Sequence, residues 1–208
     1  MNDYDYWSRL APTYEDDNLY VIGEATHGAI NTWLLDKFDG SDNVLELGCG
    51  SGLFTEPVAC LVDRVTGIDM SDEMLELANE KFNGNDKVNV LKGDCCRTEF
   101  VAQTFDAVFI ANVLHLVSDP DSILLEANRV LKPGGRLVVV DFTSYGLTEE
   151  VRKSMIDRYF ERWGRPQKTN KALSPETLST MVENAGFKVT ESILVGESSK
   201  AVCLSAIR

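Results

Sequence analysis

The sequence is poor in histidine and in positively charged side chains. Its 208 residues include 2 His, and 20 Lys and Arg stand against 33 Asp and Glu, which gives a net charge of -13 at pH 7. A surface of this sign repels phosphate backbones, so the composition disfavours a nucleic-acid substrate. The two histidines, His27 and His115, are too few to supply a metal-binding cluster.

Paired cysteines and long apolar runs are also lacking. The cysteines are odd in number and have no metal-ligand spacing, so we expect reduced thiols and no metal: Cys49, Cys60, Cys95, Cys96 and Cys203. No apolar run approaches the ~20 residues that span a bilayer, and the opening residues MNDYDYWSRL do not resemble a signal peptide. We therefore expect a cytoplasmic protein without membrane insertion. The sequence makes no prediction of its oligomeric state.

What the sequence does contain is a regular alternation of short β-branched runs with helical stretches. Hydrophobic residues make up 44% of the chain, enough for the core of one domain over residues 1–208. Predicted strands are Val44–Leu47, Arg64–Ile68, Val88–Lys92, Phe105–Ala111 and Arg136–Asp141. Helices are predicted after Gly52, after the N-cap Ser71 and over Asp121–Val130, where a Lys-Pro-Gly-Gly turn ends the last of them. This pattern predicts a doubly wound α/β fold whose core covers residues 41–142.

Two flanking parts depart from the alternation. Residues 1–40 are rich in tyrosine and end in a predicted helix with Ile30, Leu34 and Phe38 on one face. Residues 143–175 contain a predicted helix through Met155 and Trp163 and a loop through Arg165-Pro166. Residues 176–208 begin with a helix capped by Ser174 and closed by Gly186, and then form a predicted antiparallel hairpin of Phe187–Val195 and Ala201–Ile207.

The stretch VLELGCGSG, residues 44–52, ends the first strand in a glycine-rich loop. Glycines 48, 50 and 52 let the chain turn sharply and let a ligand approach bare backbone. The dinucleotide fingerprint G-x-G-x-x-G/A is not met, because Leu53 or Thr55 occupies its third position. A nicotinamide cofactor is therefore disfavoured.

Acidic residues stand at the ends of three successive strands. Glu46 lies beside the glycine loop, Asp69 follows the second strand and Asp94 follows the third. A carboxylate at such a position can accept both hydroxyls of a ribose, and another can accept from an exocyclic amine. The three acids predict a ligand with a ribose, an amine-bearing base and positive charge.

These segments together resemble the class I S-adenosylmethionine-dependent methyltransferases. VLELGCGSG, VTGIDMS, LKGDC, FDAVFIANVLHLV and LKPGGRLVVVDF occur in the order and spacing of that family, especially its small-molecule branch, which includes the ubiquinone and menaquinone biosynthesis methyltransferases. The resemblance implies a Rossmann-like sheet of seven strands, the last antiparallel, with helices on both faces. It also implies transfer of a methyl group from S-adenosylmethionine to a small-molecule acceptor.

The resemblance further implies roles for individual residues. Gly48, Cys49 and Gly50, with Glu46 nearby, would meet the methionine moiety, and Asp69 the ribose hydroxyls. The remaining implied contacts are Met70 and Asp94 with Cys95 at the adenine, Asn112 near the sulfonium, and Tyr14 in an N-terminal helical lid over the cofactor.

His115 is the candidate catalytic base, because it is the histidine nearest the predicted cleft, and Asp141 is a rival for substrate binding. The acceptor atom, whether oxygen, nitrogen or carbon, is left open, as is the need for a base. Two alternatives to a methyltransferase remain: a protein that binds S-adenosylmethionine without turnover and a nicotinamide-dependent oxidoreductase.

Overall fold

A computed structural model describes residues 3–164 and 172–208 of the chain. Its strands are β1 Asn43–Leu47, β2 Arg64–Asp69, β3 Val88–Lys92, β4 Phe105–Ala111, β5 Leu131–Thr143, β6 Lys188–Val195 and β7 Lys200–Ile207. Its α-helices are α1 Asp3–Leu10, α2 Tyr14–Ile22, α3 Glu24–Leu34, α4 Thr55–Ala59, α5 Asp72–Lys81, α6 Pro120–Val130, α7 Glu149–Trp163 and α8 Pro175–Asn184. None of these helices is both long and apolar enough to cross a membrane.

All seven of these strands form one sheet in the order β3-β2-β1-β4-β5-β7-β6. The first five strands pair in parallel, and β7 is antiparallel to both β5 and β6. The predicted Rossmann-like seven-stranded sheet and its terminal hairpin are therefore confirmed. The sequence pattern predicted the core strands and the hairpin, because buried parallel strands are continuously apolar whereas the hairpin strands alternate. The sheet of seven strands was implied by the family resemblance.

The core lies on both faces of the sheet because successive side chains of a strand point to opposite sides. Leu45 and Leu47 pack with α6 and α8 on one face. Val44 packs with α3 and α4 on the other. All three of these strand residues are fully buried. The sheet is thus packed on both faces, and it fixes where the loops at its strand ends begin.

The predicted helix caps are observed. The Ser71 side chain accepts a hydrogen bond from the backbone of Met74 at the start of α5, and Ser174 forms a capping box with Thr177 at the start of α8. Gly186 follows α8 with φ +90°, a left-handed conformation that favours glycine. Local chemistry therefore decided where these helices begin and end.

Three details differ from the sequence-based expectations or lie beyond what the structure describes. The Lys132-Pro133-Gly134-Gly135 segment belongs to β5, where it forms an irregularity in the pairing with β4. Helix α3 ends at Leu34, so Phe38 lies beyond it, although its ring packs edge-on against Phe109. The predicted loop through Arg165-Pro166 lies outside the described residues.

The strand order reverses between β1 and β4, since β2 and β3 extend the sheet to one side and β5 to the other. In open α/β sheets, ligands bind in the crevice beyond the carboxyl ends of the strands at such a reversal. Here that crevice lies between the loop after Leu47 and the loop after Ala111, and we call it the cleft.

Candidate functional site

The glycine loop after β1 forms one wall of the cleft. Its glycines 48, 50 and 52 have φ of +82°, +53° and +86°, values that side chains disfavour. A Cβ at Gly48 would lie 2.4 Å from a methyl group of Val113, whereas a Cβ at Gly50 would meet no atom nearer than 4.0 Å. Gly48 is thus required for packing, and the backbone at Gly50 is open to a ligand.

Asp69, at the end of β2, holds the glycine loop in place. One carboxylate oxygen accepts from the backbone N–H of Gly50 at 3.0 Å and the other from that of Ser71 at 2.9 Å. Burial raises the pKa of Asp69, and the backbone hydrogen bonds offset part of that rise. Each oxygen keeps a further acceptor site, so the predicted ribose contact and this structural task are compatible.

Glu46 is a buried acid behind the same loop. It is 1% exposed, and the Thr55 hydroxyl donates to its carboxylate at 2.6 Å. Burial, with a smaller contribution from the Asp69 charge, raises the pKa of Glu46 to about 8. An acid poised in this way ionises when a positive charge approaches.

Asn112 follows β4 on the opposite wall and adopts φ +58°, which is uncommon for a residue with a side chain. Its side-chain oxygen accepts from the backbone N–H of Phe142 at 3.0 Å, which fixes the orientation of the amide. The amide nitrogen is buried and has no hydrogen-bond partner among the described residues. This donor is available to a ligand atom or a water molecule.

His115 and Asp141, which the sequence offered as separate candidates, form a hydrogen-bonded pair through Nδ1 of the imidazole. Asp141 is fully buried, and its second carboxylate oxygen accepts from the backbone N–H of Leu114 at 3.0 Å. Burial lowers the pKa of His115, but the Asp141 charge and hydrogen bond outweigh it, so the net shift is upward. Asp141 thus fixes the orientation of the His115 imidazole, and both of its carboxylate oxygens are engaged.

Other predicted contact residues lie around the cleft with fewer constraints. Met70 is 52% exposed just after β2, and Asp94 is an exposed residue whose carboxylate accepts from the backbone of Cys96. Cys95 is partly buried. Cys49 is buried with its thiol directed at the Gly50 carbonyl oxygen, so only its backbone can meet a ligand.

Tyr14 begins α2 and lies above the cleft. Its ring stacks on Trp163 of α7, with centroids 6.1 Å apart and planes 18° from parallel. Burial raises its pKa to about 12, and the Asp69 and Asp141 carboxylates from opposite sides of the cleft add to the shift. The phenol therefore stays protonated throughout the physiological range.

Polar contacts that sequence reasoning missed hold the N-terminal helices α1 and α2 against the glycine loop and α5. The Ser51 hydroxyl of the glycine loop donates to Glu15 at 2.6 Å, and Lys81 donates to the same carboxylate at 2.5 Å. Ser8 and Ser71 are hydrogen-bonded at 2.9 Å. No local pattern marks these partners, because they are 36 to 66 residues apart in the chain.

The chemistry of the cleft fits S-adenosylmethionine. The buried carboxylate of Glu46 suits positive charge, and the partly buried carboxylate of Asp69 suits ribose hydroxyls. The bare backbone at Gly50 suits close approach, and the Asn112 amide nitrogen can donate to a ligand. Within residues 3–164 and 172–208, no group of three or more His, Cys, Asp or Glu side chains could hold a metal ion.

Comparison with known proteins agrees with this chemistry. The family described as "Methyltransferase domain" matches residues 45–139, from β1 to β5. Demethylmenaquinone methyltransferase of Lactobacillus johnsonii is 29% identical over 207 residues, which cover 89% of this chain and 84% of that protein. The enzyme of the same name from Clavibacter sepedonicus is 30% identical over 164 residues, 72% of this chain and 67% of its own.

A solved structure shares the fold over nearly the whole length. The S-adenosylmethionine-dependent methyltransferase of Thermotoga maritima superposes with a TM-score of 0.75 at 21% identity, and the match covers 98% of this chain and 99% of that one. The glycine loop, the acids at the strand ends and these relatives lead to one conclusion: the chain belongs to the class I S-adenosylmethionine-dependent methyltransferases.

Proposed function

We propose that the protein methylates a small-molecule acceptor that must lose a proton, and that His115 removes it. The observation that carries this proposal is the His115–Asp141 pair beside Asn112, where β4 and β5 end. Because Asp141 occupies Nδ1, Nε2 is the nitrogen that exchanges a proton with the acceptor, and the buried carboxylate stabilises the imidazolium that forms. Bound S-adenosylmethionine supplies a methyl group activated by its sulfonium.

The proposed cofactor contacts follow from the positions of the wall residues. Backbone at Gly48 to Gly50 holds the methionine part, and Asp69 accepts from the ribose hydroxyls. Met70, Asp94 and Cys95 line the adenine end. Asn112 lies near the sulfonium, where its amide N–H can donate to an oxygen or nitrogen atom of a bound ligand. The chain aligns donor and acceptor and keeps water out, which is the main requirement of an in-line displacement.

The acceptor is proposed to bind between the N-terminal helices and α7. Aromatic rings converge there in edge-on and stacked contacts: Tyr6, Trp7, Tyr14, Tyr159 and Trp163. The indole N–H of Trp163 is buried without a partner among the described residues, a donor suited to an oxygen of the acceptor. Residues 1–40 as a lid and 143–175 as an insertion would then select the substrate.

Titration calorimetry and turnover together test this function. We expect S-adenosylhomocysteine to bind the wild-type protein and NADH to fail. Asp69→Ala should weaken that binding strongly, whereas His115→Ala should leave it nearly unchanged and lower turnover by about 10²-fold or more. Equal losses of binding in the two variants would contradict the assigned roles.

The acceptor panel contains phenols, enols and amines, together with demethylmenaquinone reduced to its hydroquinone, because similar proteins are named for that compound. Formation of S-adenosylhomocysteine is the readout. Tight binding without turnover on any acceptor would favour the non-catalytic alternative. A cytoplasmic location stays a prediction of the sequence, and fractionation of cells that express the protein tests it.

A further inference from the structure

A chain of hydrogen bonds runs from the cleft into the N-terminal helices. The Asn18 amide nitrogen donates to the Tyr14 hydroxyl at 3.3 Å, and the Asn18 oxygen is 2.9 Å from Nε2 of His27 on α3. Asn18 is 1% exposed, so this amide is buried with both of its ends engaged. Neither Asn18 nor His27 has a role in the function proposed above.

These hydrogen bonds have a defined donor-to-acceptor direction. An amide donates only from nitrogen and accepts only at oxygen, so with its nitrogen on Tyr14, Asn18 must receive a proton from His27, and Nε2 must carry it. The His27 ring is held between two others, stacked on Phe54 with centroids 5.6 Å apart and edge-on to Phe142 at 5.8 Å. This packing fixes the plane of the imidazole and hence the line of the hydrogen bond.

The direction of these hydrogen bonds leaves the O–H of Tyr14 available to donate a hydrogen bond. Its oxygen already accepts from Asn18, and within residues 3–164 and 172–208 no group accepts a hydrogen bond from it. The Asp69 and Asp141 carboxylates act on the Tyr14 phenol from the two walls of the cleft. Because the next residue, Glu15, is hydrogen-bonded to Ser51 of the glycine loop, Tyr14 lies beside the part of the cleft assigned to the methionine moiety. The Tyr14 hydroxyl can therefore donate to an acceptor atom of a ligand bound beside the glycine loop.

We infer that Asn18 and His27 are positioning residues that orient the Tyr14 hydroxyl as a donor to the amino-acid carboxylate of S-adenosylmethionine. The carboxylate is the strongest acceptor that the methionine moiety offers. It also needs fixed donors here, because Asp69 and Asp141 face the same cleft and the protein is strongly acidic. This inference rests on the proposed function.

Two ligands separate this role from a merely structural one. S-adenosylhomocysteine carries the carboxylate, and 5′-methylthioadenosine lacks the whole amino-acid part. In calorimetric titrations, Tyr14→Phe, Asn18→Leu and His27→Leu should each weaken S-adenosylhomocysteine by about tenfold and change 5′-methylthioadenosine by less than about twofold. Combining Tyr14→Phe with Asn18→Leu should cost no more than Tyr14→Phe alone, because the two act through one hydrogen bond.

Conservative and remote variants complete the design. His27→Gln keeps an N–H donor and should retain the wild-type affinity, and Asn31→Leu, at an exposed position of α3, should change neither ligand. Thermal melts confirm that each variant is folded. Equal losses for the two ligands, additive losses in the double variant, or unchanged affinities would overturn the inference alone. Wild-type protein that binds neither ligand would overturn the proposed function as well.

Discussion

Buried polar residues carry most of the chemistry that can be argued at the scale of single side chains. Glu46, Asn112 and Asp141 are each at least nine-tenths buried, and each is held by one or two hydrogen bonds to neighbouring strands or loops. Burying such groups is costly unless a partner or a ligand compensates. Their placement around one cleft is therefore best understood as a site built for a charged ligand.

Glu46 should make cofactor binding release protons. Its pKa of about 8 keeps the carboxyl mostly neutral at pH 7 in the free protein, and the positive charge of the ligand should lower that pKa. Titrations of S-adenosylmethionine, which carries the sulfonium charge, at pH 7 in buffers with different ionisation enthalpies should therefore give different heats. Glu46→Gln should abolish the difference, as should the uncharged 5′-methylthioadenosine with the wild-type protein. Identical heats in every buffer would show that Glu46 does not change its protonation state when the ligand binds.

The His115–Asp141 pair should determine the pH dependence of turnover. A base acts in its neutral form, and the pKa of His115 is raised, so activity should fall as the pH drops through a value above that of an ordinary histidine. Asp141→Asn removes the charge that raises this pKa. The acidic limb of kcat/KM should then move to lower pH while the plateau falls. A limb that stays in place in Asp141→Asn would show that another group controls it.

At the scale of elements, the glycine loop combines a packing requirement with a binding requirement. Gly48 packs directly against Val113, whereas a Cβ at Gly50 would meet no atom nearer than Met74 Sδ at 4.0 Å. The two positions lie two residues apart in one turn, yet the consequences of adding a methyl group at each are different.

Gly48→Ala should destabilise the fold, since φ +82° is unsuited to alanine and its Cβ would overlap Val113. Gly50→Ala, with φ +53° and no near neighbour, should cost about 1–2 kcal/mol of unfolding free energy. It should nevertheless weaken S-adenosylhomocysteine by about tenfold or more, because the methyl group stands where the ligand approaches. Thermal melts and calorimetry measure the two effects. A Gly50→Ala variant with wild-type affinity would show that the ligand does not touch this backbone.

At the scale of the whole molecule, excess negative charge opposes folding. A net charge of -13 produces repulsion over the surface, whereas ion pairs such as Lys92–Asp72 and Lys132–Asp106 are exposed or partly exposed and contribute little each.

Raising NaCl from about 10 mM to about 500 mM should screen this repulsion more than it weakens the ion pairs, so the melting temperature should rise. Each kcal/mol of regained stability corresponds to about 2–4 °C for a chain of this size. The measurement is a calorimetric melt at constant pH over a series of NaCl concentrations. A melting temperature that falls with salt would mean that the ion-pair networks outweigh the net repulsion.

The sequence by itself determined the order of the strands along the chain, the caps of α5 and α8, the terminal hairpin and the family. These features are local: an apolar run, a serine before a helix and a glycine after one act on their immediate neighbours. The positions of Glu46, Asp69 and Asn112 at strand ends follow from the same local order, because strand ends in a parallel sheet meet at one edge.

Only the tertiary structure decided which side chains meet across the cleft. His115 and Asp141 are 26 residues apart, Glu15 and Ser51 are 36 apart, and Tyr6 donates to the carbonyl of Trp163 across 157 residues. Periodicity reports which way a side chain points from its own helix or strand, not the residue it will face. Three sets of contacts depend on how distant elements pack: the His115–Asp141 hydrogen bond, the polar contacts that hold α1 and α2 against the glycine loop, and the His27–Asn18 hydrogen bond. The sheet order and the buried core impose that packing.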